Sequence, residues 1–279
     1  MPEEKNLSAW KAWDIARSLA FALVIALLPQ GVWTLLLDKN LMTGAALPWA
    51  PILIVIVLWL LWQYVTGKWW PRSTAEFRRI HARAIVPPSD VFGWALLAGG
   101  FSLIALTGAW IVIFQLVKVP GNPLPNFFGL PVLTAVLVIA VASCIGAITE
   151  EMGFRGYLQV TLEKYFSAPT AIIILAILVS PWHGVTQGFV WPVLLWYFFA
   201  DLVFATMAYL CRSILPGIIV HLVGLAIFFS IIWPRDMYRL NIHMGSDIWF
   251  WIHVAQMAIF IPLALWALIR LARLREAVL

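Results

Sequence analysis

The chain has 279 residues, of which 63% are hydrophobic and only 11% are charged, and its mean hydropathy is +0.94. A soluble domain carries about 25% charged residues, so this composition excludes an ordinary soluble protein and predicts surface that faces lipid. Seventeen Trp residues agree with that prediction, because Trp is enriched at the two membrane–water interfaces. The net charge of +5 is small and lies in loops, so we expect no nucleic-acid partner.

The apolar runs predict an all-α fold, a polytopic transmembrane helical bundle of about eight helices, with seven as the alternative. A helix that spans the bilayer needs about 20 mostly apolar residues, and the fifth run is short. No internal repeat or soluble domain is visible, so we expect a single membrane domain over residues 1–279. The runs are Ile15–Leu37, Leu47–Val65, Val91–Val117, Pro131–Thr149, Ala168–Trp182, Phe189–Leu210, Ile214–Trp233 and Ile248–Ile269.

Basic residues favour cytoplasmic loops, and their distribution predicts that both termini are cytoplasmic. The compact length and the lack of visible targeting extensions favour the cell membrane as the location. With eight spans, only four of the 18 basic residues fall on the outer side: Lys39, Lys118, Arg235 and Arg239.

The basic segment Ser73–Arg83 begins with a residue type that caps helices. It predicts a cytoplasmic surface helix near anionic lipid. The alternative is that these charges only fix the topology.

Ionisable residues inside a bilayer are costly and therefore indicate function. Glu150 and Glu151 directly follow an apolar run. If the helix continues, Glu151 and Arg155 are four residues apart and pair, while Glu150 points about 100° away from Glu151. Gly153 lies on the face of Glu150 and leaves room for a substrate chain or a closely packed helix. The alternative is a charge pair at a helix end.

His183 lies 33 residues after Glu150, and the turn expected at 166–169 lies midway between them. In a helical hairpin the two residues are equally far from the turn, since each residue rises about 1.5 Å. The sequence therefore predicts that Glu150 and His183 face each other at one depth.

Four more polar residues fall in apolar helices. His221 needs a partner from another helix, and Glu150 with His183 is the expected one. Asp201 orients a His or pairs with an Arg, although a structural role is the stronger interpretation. His253 and Gln256 share a face of the last helix and are candidates to line the same cavity.

The motif Glu150-Glu151-x-x-x-Arg155 resembles the first motif of the CAAX-protease and bacteriocin-processing (CPBP) family of intramembrane endopeptidases, which includes the type II CAAX prenyl endopeptidases. The second motif, Phe-x-x-x-His, is similar to the segment that ends at His183, with Val179 in place of Phe. The third, His-x-x-x-Asn/Asp, is similar to the segment from His221, with Leu225 in place of the polar residue. The resemblance covers residues 131–233, the expected peptidase core.

The resemblance implies a peptidase without a metal or other cofactor. In it, Glu150 assisted by His183 activates a water, and His221 stabilises the oxyanion, a task that the family's Asn/Asp shares. Glu151 and Arg155 hold the helix. The implied substrates are membrane-anchored or C-terminally processed proteins or peptides, cut near the C-terminus within the lipid bilayer.

Three alternatives stay open on the sequence. One Glu and two His also form a zinc ligand set with an open position. Leu225 favours a non-catalytic member that binds and regulates a membrane partner. A transporter is less favoured, because many transporters contain internal repeats and none is found here.

Overall fold

The computed structural model describes residues 2–42, 49–120, 131–236 and 247–278, and these residues form helices with no strand. The α-helices are α1 (Pro2–Met42), α2 (Trp49–Val65), α3 (Ala75–Ala82), α4 (Ser89–Leu116), α5 (Val132–Glu150), α6 (Gln159–Tyr165), α7 (Ala168–Val179), α8 (His183–Gln187), α9 (Trp191–Cys211), α10 (Leu215–Ile227), α11 (Trp233–Asp236) and α12 (Ile248–Val278). Short 3₁₀ segments cover Arg72–Thr74 and Ser180–Trp182, and π-helical segments cover Glu151–Leu158 and Phe228–Ile232.

Seven helical segments of the described residues are long and apolar enough to cross a membrane, and Trp49–Val65 is a shorter apolar helix of 17 residues. Large apolar side chains such as Leu28, Ile177 and Leu265 stay exposed on these helices, as expected for surfaces that contact lipid. The predicted polytopic helical bundle is therefore confirmed, and the chain is a multi-pass membrane protein. Leu47, where the second apolar run begins, and the basic residue Arg239 lie outside the described residues.

The chain divides into two compact units. The first comprises Met1–Ile85 and Gly129–Leu175, and the second comprises Val86–Phe128 and Ala176–Leu279. The expectation of one membrane domain stays a prediction, and each unit is described by itself.

In the first unit, α1 packs against the end of α5 and the π-helical segment. The Thr149 hydroxyl lies 3.4 Å from the Ala26 carbonyl oxygen, and Ser18 donates to the Tyr157 carbonyl at 2.9 Å. A Cβ on Gly153 would lie 2.6 Å from the Ala22 carbonyl oxygen. Gly153 is therefore required for close helix packing, which is one of the two roles expected for it.

We expect Gly153→Ala to destabilise the protein by about 1–3 kcal/mol, because the new methyl group overpacks against rigid backbone. Helix propensity alone predicts that this substitution stabilises the protein, since Ala is favoured over Gly in a helix by about 1 kcal/mol. Gly31→Ala on α1 is the control, because no atom lies within 4 Å of its Cβ position. The measurement is the apparent melting temperature in detergent. Equal melting temperatures for the two variants would contradict this packing account.

The basic segment after α2 differs from its prediction. The α-helix begins at Ala75, and its N-cap is Thr74, whose side chain makes no capping bond, so the predicted Ser73 cap is wrong. The Thr74 hydroxyl instead accepts a hydrogen bond from Arg78 Nε at 3.1 Å. Arg78 is buried, and its guanidinium donates to the carbonyl oxygens of Tyr64, Trp69 and Pro71. This cation holds the turn between α2 and α3 together rather than facing lipid.

His81 docks α3 onto the rest of the first unit. Its Nδ1 contacts the Phe77 carbonyl oxygen at 2.8 Å, and its Nε2 lies 3.0 Å from Lys164 Nζ. The ammonium has only hydrogens to offer, so Nε2 accepts and Nδ1 donates, and the ring is neutral. Burial lowers the pKa of His81, and the charge of Lys164 adds to that shift.

The second unit is built around α4, α9, α10 and α12. Gly99 on α4 packs against Val220 and Met207. Nearer the other end of α4, Trp110 lies within aromatic contact distance of Trp196 and Tyr197, with ring centroids 4.5 and 5.5 Å away. This buried aromatic cluster fixes the part of α9 that bears the functional candidates described below.

Candidate functional site

Glu150 is the last residue of α5, and the π-helical segment begins at the next residue. Single π-helical turns inside α-helices are frequent at functional sites. The Glu150 side chain is half-buried, and Gln30 on α1 places its Nε2 3.4 Å from Glu150 Oε1. The amide orients the carboxylate without adding a charge to it. Gln30 was not identified from the sequence, because contacts between distant helices leave no local pattern.

Glu151 and Arg155 form the ion pair that their spacing predicts. The nearest oxygen and nitrogen are 3.5 Å apart, and the side chains are 0% and 1% exposed. The pairing is confirmed, and it occurs within the π-helical segment rather than in a continuous α-helix. Since removing one partner of a buried pair leaves an uncompensated charge, this pair is suited to hold the helix.

The turn expected between Glu150 and His183 is present, because α6 ends at Tyr165 and α7 begins at Ala168. Glu150 belongs to the first unit and His183 to the second. Their predicted meeting at one depth stays a prediction.

His183 begins α8 and lies flat against a ring of α9. The His183 and Tyr197 ring centroids are 3.6 Å apart, with an angle of 4° between the ring planes. The Tyr197 hydroxyl is held in turn by the Gln187 side-chain amide. Stacking on a ring that is itself fixed sets the plane of the imidazole.

His221, on α10, stacks on the ring of Phe204, which lies on α9. Its centroid lies 4.8 Å from that of Phe204, at an interplanar angle of 29°. Tyr197 and Phe204 are seven residues apart, so both rings lie on one face of α9. This helix therefore serves as a common platform for the two candidate histidines.

Asp201 lies between the two rings. It is four residues after Tyr197 and three before Phe204, so it shares their face of α9. At about 1.5 Å per residue, it is about 6 Å along the axis from Tyr197 and about 4.5 Å from Phe204. Asp201 is only 3% exposed. The i, i+4, i+7 spacing of Tyr197, Asp201 and Phe204 is a signal in the sequence that could have identified this face of α9.

His253 and Gln256 are tied to each other and to α4. His253 Nδ1 lies 2.7 Å from Gln256 Oε1, and Gln256 donates to the Ile104 carbonyl oxygen at 2.6 Å. Because the Gln256 oxygen accepts, His253 Nδ1 carries a hydrogen. These contacts describe a bridge between α12 and α4, and the cavity-lining role expected for the two residues stays a prediction.

Leu225 lies on α10, one turn after His221, where it is half-buried. Among the described residues, no group of three or more His, Cys, Asp or Glu side chains is placed to hold a metal ion.

Comparison with protein families matches residues 132–227 to the family described as type II CAAX prenyl endopeptidase Rce1-like. The matched segment is about a third of the chain and contains Glu150, His183 and His221. No curated protein and no solved structure gives a significant match.

Proposed function

Residues 132–227 place this chain in the CPBP family of CAAX-type intramembrane proteases, and from that membership we propose that it is an intramembrane endopeptidase that uses Glu150, His183 and His221. Its substrates are membrane-associated proteins or peptides, which it cuts near the C-terminus. It acts in the cell membrane, with both termini in the cytoplasm.

In the proposed reaction, the Glu150 carboxylate takes a proton from a water molecule, which His183 helps to position. The water oxygen bonds to the carbonyl carbon of the scissile peptide, and the carbonyl electrons move onto its oxygen. His221 donates a hydrogen bond to this oxyanion. When the tetrahedral intermediate collapses, the carbon–nitrogen bond breaks and the proton passes from Glu150 to the leaving amine. The products are a new carboxylate and an amine.

The contrast between the two adjacent carboxylates carries the assignment of Glu150. Glu151 is sealed from solvent and paired with Arg155, and a carboxylate paired in this way is a poor general base. Glu150 is only half-buried, so it keeps the contact with solvent that Glu151 lacks, and its Oε1 lies 3.4 Å from the Gln30 amide nitrogen. This arrangement supports a division in which Glu151 maintains the helix and Glu150 performs the chemistry.

With Leu225 at this position, the chain lacks the Asn or Asp side chain that in the family shares oxyanion stabilisation with the histidine. We propose that Asp201 compensates as a positioning residue for His221. It lies on the face of α9 that contacts His221 through Phe204, about one helical turn away along the axis. A carboxylate that accepts a hydrogen bond from one ring nitrogen fixes which nitrogen donates on the other side. His221 then presents a single well-oriented N–H to the oxyanion.

The test is to replace Glu150 with Gln, which keeps the shape of the side chain and removes the base. New protein C-termini are then compared between membranes of cells that carry the wild-type protein and cells that carry Glu150→Gln at equal abundance. We expect a set of cleaved tails to disappear in the variant, and these tails name the substrates.

The alternatives predict different outcomes, one in the same comparison and one when a chelator is added. Unchanged C-termini together with a surviving cellular phenotype would favour the non-catalytic partner-binding protein. Cleavage that is lost on adding a strong chelator and restored by zinc would favour the zinc peptidase on the same Glu and His residues. The proposed metal-free reaction requires that cleavage survive the chelator.

A further inference from the structure

The turn between α2 and α3 borders an open cavity of about 660 Å³ within the first unit. Its wall includes two basic side chains, Lys68 and Arg72, and two Trp side chains, Trp69 and Trp70. Glu76 also lines it, and this carboxylate is paired with Arg79 on α3. The cavity thus presents two cationic groups beside aromatic rings.

Other basic residues of this region are already engaged. Arg78 binds three backbone carbonyl oxygens, and Arg83 pairs with Glu163 on α6. Within the described part of the chain, no carboxylate forms an ion pair with Lys68 or Arg72. The charge available to a ligand is therefore concentrated in the cavity wall, not on the segment Ser73–Arg83 that the sequence suggested.

The position of the cavity relative to α2 sets its depth. The apolar helix ends at Val65, and the lining begins at Gly67. Seventeen residues span about 25 Å, at the lower end of the length that crosses a hydrocarbon core of about 30 Å, and the cavity follows directly after this apolar helix. Trp69 and Trp70 are 48% and 76% exposed, which is typical of side chains that sit at the interface.

The cavity is also preformed. The Arg78 guanidinium joins the end of α2 to the turn, and it packs over the Tyr64 ring at 4.3 Å from the centroid. Gly67 has a φ of +73°, and a Cβ there would collide with the Ala75 backbone. The turn therefore needs a glycine at this position and is held by a buried cation, so little ordering is left to be done when a ligand binds.

We propose that this cavity binds the phosphate headgroup of an anionic phospholipid from the surrounding bilayer. Lys68 and Arg72 contact the phosphate, and the exposed rings of Trp69 and Trp70 lie along the upper part of the acyl chains. The charge complementarity of the cavity, its exposed Trp side chains and its continuity with the end of the apolar helix α2 select a lipid as the occupant.

The test measures lipid binding to the purified full-length protein by native mass spectrometry, with phosphatidylglycerol or phosphatidylcholine added. We expect the wild-type protein to bind phosphatidylglycerol more tightly. The double variant Lys68→Gln with Arg72→Gln should bind it roughly ten- to thirty-fold more weakly, at about 1 kcal/mol for each basic residue near a lipid surface. Phosphatidylcholine, whose choline ammonium offsets the phosphate charge, should bind weakly to the wild-type protein and change less in the variant.

The matched control is Lys11→Gln with Arg273→Gln, which removes two exposed basic groups elsewhere and changes the net charge equally. It should keep the wild-type affinity. The proposal is overturned if both double variants lose affinity equally, since binding then depends on net charge alone. It is also overturned if soluble glycerol phosphate displaces the lipid at millimolar concentration, because the site then takes a free anion. All four substituted residues are exposed. We therefore expect unchanged melting temperatures, which verify that both double variants fold.

Discussion

Asp201→Leu is expected to lower the cleavage rate by about 10²–10³, the range seen when one oxyanion donor is lost. With Leu225 in the third motif, His221 is the donor on which the proposed site depends, and an unoriented imidazole no longer directs its N–H at the oxyanion. Because Asp201 is buried, its replacement also costs stability, so the rate is compared for the folded protein and the melting temperature is recorded beside it. The measurement is the cleavage rate of the purified, reconstituted protein.

A rescue variant separates positioning from a structural role. Leu225→Asn in the Asp201→Leu background restores a polar group one turn after His221, where the family has one, and should recover at least about ten-fold in rate as a second donor becomes available. Asp236→Leu is the matched control, because Asp236 is a buried carboxylate of the same unit that accepts a hydrogen bond from Trp249. It should affect stability and leave the rate of the folded protein unchanged. A wild-type rate for Asp201→Leu would contradict the assignment, as would a lost rate that Leu225→Asn fails to raise.

The sequence predicted those parts of the structure that depend on local pattern. Apolar runs of about the length needed to cross a bilayer predicted the helices, and the four-residue spacing predicted the Glu151–Arg155 pair. The turn at Phe166 and Ser167 followed from a polar interruption between two apolar runs. In each case the determining interaction joins residues that are close along the chain.

Other features depend on contacts between distant segments and were missed. The π-helical segment after Glu150 lies where Gly153 and Gly156 let α1 and α3 approach the backbone, and periodicity alone does not predict that. The contact of Gln30 with Glu150 joins residues 120 positions apart. The stacking of His183 and His221 on α9 also depends on tertiary packing, although the spacing of the α9 residues is visible in the sequence.

For the basic segment Ser73–Arg83, the sequence identified the charges but not the contacts that they make. The basic residues of Ser73–Arg83 suggested a lipid-facing helix. Burial and pairing instead assign Arg78 and Arg83 to the fold. The number of charges in a sequence therefore does not give the number available to a ligand.

In the proposed mechanism the two adjacent glutamates have separate tasks, Glu150 in chemistry and Glu151 in structure. The direct measurement compares Glu150→Gln and Glu151→Gln as purified proteins, with the cleavage rate of one identified substrate tail and the melting temperature recorded for each. Glu150→Gln should lose about 10²–10⁴ in rate while melting as the wild type does. Glu151→Gln should lose about 3–5 kcal/mol of stability, because the charge of Arg155 is left buried and uncompensated. Cleavage at the wild-type rate by Glu150→Gln would contradict the account.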